Sequence, residues 1–171
     1  MSAPQLNEGF VDLVLATLDE TGLPATRLML EITESMLVDD CANARTVLTR
    51  IRDFGVRVAI DDLGTGYLSL AYFQSLCVDV VKIDRSFVRD LGTNTDHQAL
   101  TRTILSLAVG FEMTAIAEGV ETDHEFAELS RLGCPYAQGF LFSRPVASDA
   151  LHQLFERSNI APQVSSLNSA T

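Results

Sequence analysis

Apolar residues along this chain switch between two spacings, and the switching predicts strands separated by helices. Five short segments are predicted strands, at residues 27–33, 56–61, 79–83, 113–117 and 136–140. The segment 56–61 is nearly continuous in Val, Ile and Ala, which is typical of a strand covered on both faces.

Between these segments, apolar residues recur at spacings near three and four, as on the buried face of a helix. The predicted helices cover residues 4–20, 40–54, 70–76, 95–109, 122–132 and 149–157. Pro4 fits the first turn of its helix, and Gly22 and Gly110 fit helix ends. The pairs Thr95–Gln98 and Thr122–Glu125 have the spacing of capping boxes.

Strands that alternate with helices through short loops indicate an α/β fold with a parallel sheet. A closed barrel of this kind needs about eight strands, whereas an open doubly wound sheet needs no more than the strands predicted here. Periodicity alone leaves both architectures open. The length of 171 residues suits one domain, which we expect over residues 1–157, followed by a flexible polar tail over 158–171.

Composition narrows the classes of protein to which this chain can belong. No apolar run approaches the roughly 18 residues of a membrane span, and the N-terminus has no signal-peptide core, so a cytoplasmic location is expected. The formal charge of -11 argues against a basic surface that binds the DNA backbone, but it allows a small nucleotide bound through cations. Cys41, Cys77 and Cys134 are scattered and indicate neither a zinc site nor a disulfide framework.

Acidic residues end four of the predicted strands. They are Glu31, the pair Asp61–Asp62, Asp84 and Glu118. Because the carboxyl ends of parallel strands meet at one face, these side chains should converge there. Converging carboxylates repel one another, and oxygen-only ligands favour hard cations such as Mg²⁺, Mn²⁺ or Ca²⁺. The sequence therefore predicts a cation site at this face.

Each candidate also has a plainer interpretation. Asp61 and Asp62 could hold two ions about 3.5–4 Å apart, an arrangement that suits phosphodiester cleavage, or they could cap a turn. Glu31 could be an exposed loop acid. Lys82 lies in an otherwise apolar strand, where it could orient or deprotonate a water or simply form a structural ion pair. Gln138 could bind a ligand or be a surface amide.

Five motifs carry a resemblance to a known family. They are Glu31-Ile32-Thr33-Glu34-Ser35, Asp61-Asp62-Leu63-Gly64-Thr65-Gly66-Tyr67, Val81-Lys82-Ile83-Asp84, Ala117-Glu118-Gly119-Val120-Glu121 and Gln138-Gly139-Phe140. In this order they resemble the EAL domains, which are bacterial cyclic di-GMP phosphodiesterases. The resemblance covers residues 2–155 and implies a modified TIM barrel, here an incomplete one with about five of the eight strands.

The resemblance also implies a metal centre with two divalent cations, Mg²⁺ or Mn²⁺. In it, Glu31 binds the first ion and Asp61 bridges both. Asp62 and Glu118 serve the second ion, and Lys82 positions or activates the attacking water. The positions implied in substrate or loop support are Glu34, Glu121, Gln138, Asp84, Gly64, Thr65 and Gly66.

The family resemblance extends to the loop over residues 63–70. Glu34 and Glu121 are expected to order this loop, which in the family influences metal binding and dimerisation, so a homodimer is expected. Leu63 replaces the more usual Phe of the family at the start of the loop.

One departure from the family pattern concerns its naming motif, a Glu-Ala-Leu tripeptide with a metal-binding Glu. The tripeptide is absent from the printed sequence. The chain thus resembles the C-terminal two-thirds of an EAL domain, and we expect weak or no activity, self-association, and upstream sensory or GGDEF domains in a full protein.

Three functions are compatible with these observations. The first is metal-dependent hydrolysis of cyclic di-GMP to linear pGpG. The second is a non-enzymatic module that binds cyclic di-GMP or a protein partner. The third is another metal-dependent barrel enzyme, since acids at strand ends alone would allow it.

Overall fold

The computed structural model describes residues 6–33, 41–63 and 77–151. Within these ranges the predicted helices and strands follow one another in order, with two short additions, the 3₁₀ turn Ala25–Arg27 and the helix Arg85–Val88. The elements are α1 (Glu8–Thr21), β1 (Met29–Thr33), α2 (Cys41–Asp53), β2 (Arg57–Leu63), β3 (Val80–Ile83), α3 (Arg85–Val88), α4 (Thr95–Gly110), β4 (Thr114–Ala117), α5 (Asp123–Arg131) and β5 (Tyr136–Ala137).

The strands form one sheet in the order β1-β2-β3-β4-β5, and every neighbouring pair is parallel. All four residues of β3 are buried, as expected for a central strand that is covered on both faces. In the described part of the chain the sheet is open, with β1 and β5 as its outer strands. The predicted α/β fold with a five-stranded parallel sheet is confirmed.

The helix ends show where local sequence was ambiguous. α1 begins at Glu8 rather than at residue 4, because the side chain of Asn7 accepts a hydrogen bond from the backbone N–H of Phe10 at 3.1 Å. Gly22 ends α1 with a left-handed φ of 65°, as predicted.

The capping box predicted at Thr95 and Gln98 is wrong. Asn94 caps α4 instead, with its side-chain oxygen accepting from the backbone of Asp96 and His97. Gln98 donates its amide to the carbonyl of Leu91 at 2.8 Å.

The capping box of Thr122 and Glu125 at the start of α5 is confirmed. At the other end of α4, Gly110 is the last residue of the helix, as predicted. The left-handed residue there is Glu112, with a φ of 57°.

β5 is shorter than the predicted strand at 136–140, since the chain turns away after Ala137. The carbonyl of Gln138 still accepts from Val120 N at 3.1 Å, but Gly139 then lies directly against the backbone of Val120. A Cβ at position 139 would come within 2.2 Å of the Val120 carbonyl oxygen, so this turn requires glycine.

Some predictions fall beyond the described ranges. These predictions are the helix at 70–76, the loop residues Gly64, Thr65 and Gly66, the acid Glu34 and the tail at 158–171. The helix predicted at 149–157 is described only at its start, where residues 148–151 are helical. Within the three described ranges, no helix combines the length and the apolar character that crossing a bilayer requires.

At the amino end of the sheet, Asp79 forms a compact ionic group with Arg52. Nε of Arg52 lies 3.0 and 3.1 Å from the two carboxylate oxygens of Asp79. The second of those oxygens also accepts the backbone N–H of Val58 at 2.9 Å. The hydrogen bond to Asp79 is the main reason why the pKa of Arg52 is raised, despite partial burial. This group ties α2, β2 and β3 together.

Candidate metal centre

The predicted acids converge at the carboxyl end of the sheet because the strands are parallel and in register. Glu31 lies in β1, and Asp61 and Asp62 lie near the end of β2. Lys82 is in β3, and Glu118 directly follows β4. Register pairs Thr33 with Asp61 and Lys82 with Ile116, which brings the strand ends to one edge.

Lys82 is the centre of this cluster. Its Nζ lies 2.9 Å from Glu31 Oε2, 3.1 Å from Asp61 Oδ1 and 2.7 Å from Glu118 Oε1. The Lys82 residue is only 4% exposed. Burial alone would lower its pKa, but hydrogen bonds to Glu118, Glu31 and Asp61 outweigh burial and raise it. The side chain is therefore an ammonium group enclosed by three carboxylates.

Glu118 is the most enclosed of the three acids that contact Lys82. Its side chain is 16% exposed, against 25% for Asp61 and 44% for Glu31. Burial raises the pKa of Glu118, although the ion pair with Lys82 opposes the rise. Gln138 donates its Nε2 to Glu118 Oε1 at 2.7 Å, so one oxygen of Glu118 accepts from both Lys82 and Gln138.

Asp61, Asp62 and Glu118 form a group with the spacing of cation ligands. One carboxylate oxygen from each lies within 4.8 Å of those of the other two. Asp62 has a left-handed φ of 56°, a conformation that Asp and Asn tolerate better than most residues. Burial, and then the neighbouring charges of Asp61 and Asp84, raise the pKa of Asp62. Glu31 stands outside this group and joins it through Lys82.

Asp84 lies at the start of α3, where it caps the helix beside Asp62. Its Oδ1 accepts from the backbone N–H of Ser86 at 2.9 Å and from the Ser86 hydroxyl. Burial would raise the pKa of Asp84, but the hydrogen bonds from Ser86 outweigh burial and lower it. Asp84 also interacts with Asp62. Sequence reasoning missed Ser86, although the spacing of Asp84 and Ser86 is that of a helix cap.

Glu121 is exposed, and the contact that the structure gives it runs through its backbone N–H, which donates to Glu125 Oε2 at 2.9 Å. Its predicted partner, the loop at 63–70, lies beyond the described residues from position 64 onward. The turn that leads to Glu121 requires Gly119, which has a φ of 67° and leaves only 2.5 Å between a built Cβ and Cβ of Arg85.

These residues fit a divalent cation. The donors are carboxylate oxygens with no thiol or imidazole among them, the set that Mg²⁺, Mn²⁺ and Ca²⁺ prefer. Among the described ion pairs Lys82 is the cation that contacts these acids, so the acids outnumber it and the cluster has a net negative charge. Glu31, Asp61, Asp62 and Glu118 are the side chains that could hold such ions.

Comparisons with known proteins identify the family to which this chain belongs. The family model described as EAL domain matches residues 1–145. Cyclic di-GMP phosphodiesterase NbdA from Pseudomonas aeruginosa is 40% identical over 162 residues, which are 94% of this chain and 21% of that protein. The chain spans about a quarter of the length of the mycobacterial relatives with 45% identity.

Two solved structures have the same fold. The EAL domain of Mycobacterium smegmatis DcpA superposes with a TM-score of 0.85 at 45% identity, covering 91% of this chain and 70% of that one. A manganese and cyclic di-GMP complex of Klebsiella pneumoniae BlrP1 gives a TM-score of 0.76 at 33% identity, covering 81% of this chain and 36% of that one. The TIM-barrel-like α/β fold predicted from the sequence is confirmed. The chain therefore belongs to the EAL domain family, the family of the cyclic di-GMP phosphodiesterases.

Proposed function

We propose that this chain supplies the metal-binding acids for hydrolysis of cyclic di-GMP to linear pGpG. The observation that carries the proposal is the convergence of acids from separate strands around one buried ammonium, with Asp61, Asp62 and Glu118 at cation-ligand spacing. The name of NbdA and the ligands of the BlrP1 complex support the choice of substrate and of a divalent ion.

In this proposal Glu31, Asp61, Asp62 and Glu118 hold two divalent cations, Mg²⁺ or Mn²⁺. Asp61 is the acid best placed to be shared, since it neighbours Asp62 in the chain and contacts the same ammonium as Glu31. When bound, such ions polarise the phosphate and stabilise the charge on the attacking and leaving oxygens. Asp84 neighbours Asp62, and its charge is one cause of the raised pKa of Asp62.

The reaction consumes one water. Its oxygen forms a bond to phosphorus, the bond between phosphorus and the ribose 3′ oxygen breaks, and the 3′ oxygen leaves with a proton. Lys82 positions the water indirectly, because its three N–H donors face Glu31, Asp61 and Glu118 and hold these acids in place around the reacting phosphate. A carboxylate of the cluster takes the proton from the water. Gln138 steadies Glu118 through its 2.7 Å hydrogen bond.

We further propose that the 171-residue chain alone turns over slowly. The printed sequence holds no Glu-Ala-Leu tripeptide, so the metal-binding Glu implied by the resemblance is not among its residues. A site with fewer ligands binds its ion more weakly. Other expectations stay predictions. They are the homodimer, the upstream sensory or GGDEF domains, the cytoplasmic location and the ordering of the 63–70 loop by Glu34 and Glu121.

Anion-exchange chromatography of cyclic di-GMP incubated with the chain and Mn²⁺ or Mg²⁺ tests the proposal. We expect slow formation of pGpG that EDTA abolishes and that Asp61→Asn reduces by about a hundredfold or more, because a shared ligand is lost. Glu112→Gln is the matched control, since it neutralises an exposed acid that precedes β4, at the opposite end of that strand from Glu118.

Calorimetry with cyclic di-GMP separates the alternatives. Binding with no product, even at high protein concentration, would favour the non-enzymatic module. Neither binding nor turnover would contradict cyclic di-GMP as the substrate and favour another phosphoester.

A further inference from the structure

Two acids of the candidate metal centre are already engaged by Lys82. Asp61 and Glu118 belong to the group whose oxygens lie within 4.8 Å of one another. The same two side chains lie 3.1 and 2.7 Å from Nζ of Lys82. A divalent ion that binds this group therefore meets an ammonium seated beside two of its ligands.

We propose that Lys82 is the counter-ion of Glu31, Asp61 and Glu118 in the metal-free chain and holds these three acids together. A divalent ion must compete with Lys82 for them. The inference rests on the proposed function only in that these acids bind a divalent ion. It adds two roles for Lys82. Lys82 stabilises the folded chain in the absence of metal, and it lowers the affinity of these acids for metal.

The position of Lys82 explains why one side chain can do this. Lys82 lies in the central strand β3, between β2 and β4, and its neighbours Val81 and Ile83 are fully buried. From there its ammonium reaches acids that belong to β1, to β2 and to the residue after β4.

Charge supplies the energetic reason. A buried ammonium without partners is costly, and so is a group of carboxylates that face one another. In the metal-free chain each compensates the other. Removing Lys82 should therefore leave three strand ends repelling one another, with no other cation in contact with them among the described ion pairs.

The same contacts oppose the binding of metal. A divalent ion bound to Asp61 and Glu118 lies close to the ammonium, and like charges a few ångströms apart inside a protein repel strongly. The ion gains its ligands at the expense of the contacts of Lys82. Loss of Lys82 should accordingly destabilise the metal-free chain and tighten metal binding, two effects of opposite sign.

Lys82→Met tests this, because Met keeps an unbranched side chain of similar length without the charge. Arg52→Met is the matched control, since it also removes the cation of an ion pair, at the opposite end of the same sheet. Thermal unfolding is followed by circular dichroism in EDTA and in Mn²⁺. Mn²⁺ affinity is measured by titration calorimetry without nucleotide.

We expect Lys82→Met in EDTA to melt on the order of 10 °C below the wild-type chain, because it leaves three converging, partly exposed carboxylates without their counter-ion. We expect it to bind Mn²⁺ on the order of tenfold more tightly, because the competing charge is gone. Mn²⁺ should then raise its melting temperature more than that of the wild-type chain. Arg52→Met should also melt lower, with wild-type affinity for Mn²⁺.

Mn²⁺ affinity that is unchanged or weaker in Lys82→Met overturns the inference, and so does an unchanged melting temperature in EDTA. If Lys82→Met does not fold in EDTA, refolding in millimolar Mn²⁺ supports the inference, and failure to refold there overturns it. Turnover of cyclic di-GMP is scored separately. An inactive wild-type chain with tighter Mn²⁺ binding in Lys82→Met would contradict the proposed function and leave the role of Lys82 intact.

Discussion

Charged side chains are paired differently at the two ends of the sheet. At the amino end, one acid meets one base: Asp79 accepts from Arg52 and from the backbone of Val58. At the carboxyl end, one base meets several acids, and Lys82 alone contacts three of them. The amino-end pair is matched in charge, whereas the carboxyl-end cluster has more negative charge than its own residues neutralise.

This difference separates a structural ion pair from a candidate binding site. A matched, hydrogen-bonded pair stabilises the fold and has little affinity for a further ion. In an unmatched cluster the acids repel one another, and an added cation reduces that repulsion. These acids should therefore matter more for binding a cation than for folding. Asp61 and Asp79, which look alike in the sequence, should therefore respond in opposite ways to substitution.

The largest effect should come from Asp79→Ala at the amino end. The change leaves the guanidinium of Arg52 and the N–H of Val58 without their acceptor, and should cost about 3 kcal/mol of unfolding free energy. Urea denaturation measures it, with Asp53→Ala as the control because Asp53 is a nearby exposed acid. The loss should be equal in EDTA and in Mn²⁺, and a loss that Mn²⁺ restores would mean that Asp79 also binds metal.

The opposite pattern is expected for Asp61→Asn at the carboxyl end. Removing one of several mutually repelling acids should change the metal-free stability by less than about 1 kcal/mol, since the carboxamide oxygen can still accept from Lys82. Mn²⁺ affinity should fall by about tenfold or more, as calorimetry can show. A large loss of metal-free stability with unchanged affinity would make Asp61 a structural acid like Asp79.

A buried polar group without charge gives an intermediate case. Thr101 on α4 is fully buried, and its hydroxyl has no hydrogen-bond partner within the described chain. Thr101→Val keeps the shape and removes the unpaired hydroxyl, so stability should rise by about 0.5–1 kcal/mol in EDTA and in Mn²⁺ alike. Thr101→Ser is the control, since it keeps the hydroxyl. A destabilised Thr101→Val chain would mean that the hydroxyl is paired in solution.

The smallest effect concerns backbone strain. Asp62 and Glu112 both have left-handed backbones, with φ of 56° and 57°. Glycine relieves such strain, so Asp62→Gly and Glu112→Gly should each gain about 0.5 kcal/mol without metal. Only Asp62→Gly should weaken the binding of Mn²⁺. Equal Mn²⁺ affinities in the two variants would remove Asp62 from the candidate metal centre.

Sequence reasoning anticipated the elements whose signals are local or topological. The apolar run at 56–61 became β2 because a strand covered on both faces has few alternatives. The acids Glu31 and Glu118 meet because parallel strands send their carboxyl ends to one edge, which follows from the order of elements without any coordinates.

Other features depend on contacts between distant parts of the chain, or on a choice between neighbouring residues. Asn94 and Thr95 are both good caps, and only the three-dimensional course of the turn decided for Asn94. The hydrogen bond from Gln138 to Glu118 needs the alignment of β5 against β4, which periodicity does not define. The sequence predicts Asp79 as the start of a strand and gives no sign of its pairing with Arg52.

The contact between Gly139 and the backbone of Val120 has a consequence for how variants of this chain would be selected. A methyl group at position 139 would push the last turn outward and carry the neighbouring amide of Gln138 away from its acid. In a saturation library screened for metal-dependent turnover, position 139 should therefore accept no residue but glycine. Changes at Gln138 itself should be milder, since they remove one hydrogen bond and leave the path of the chain as it is.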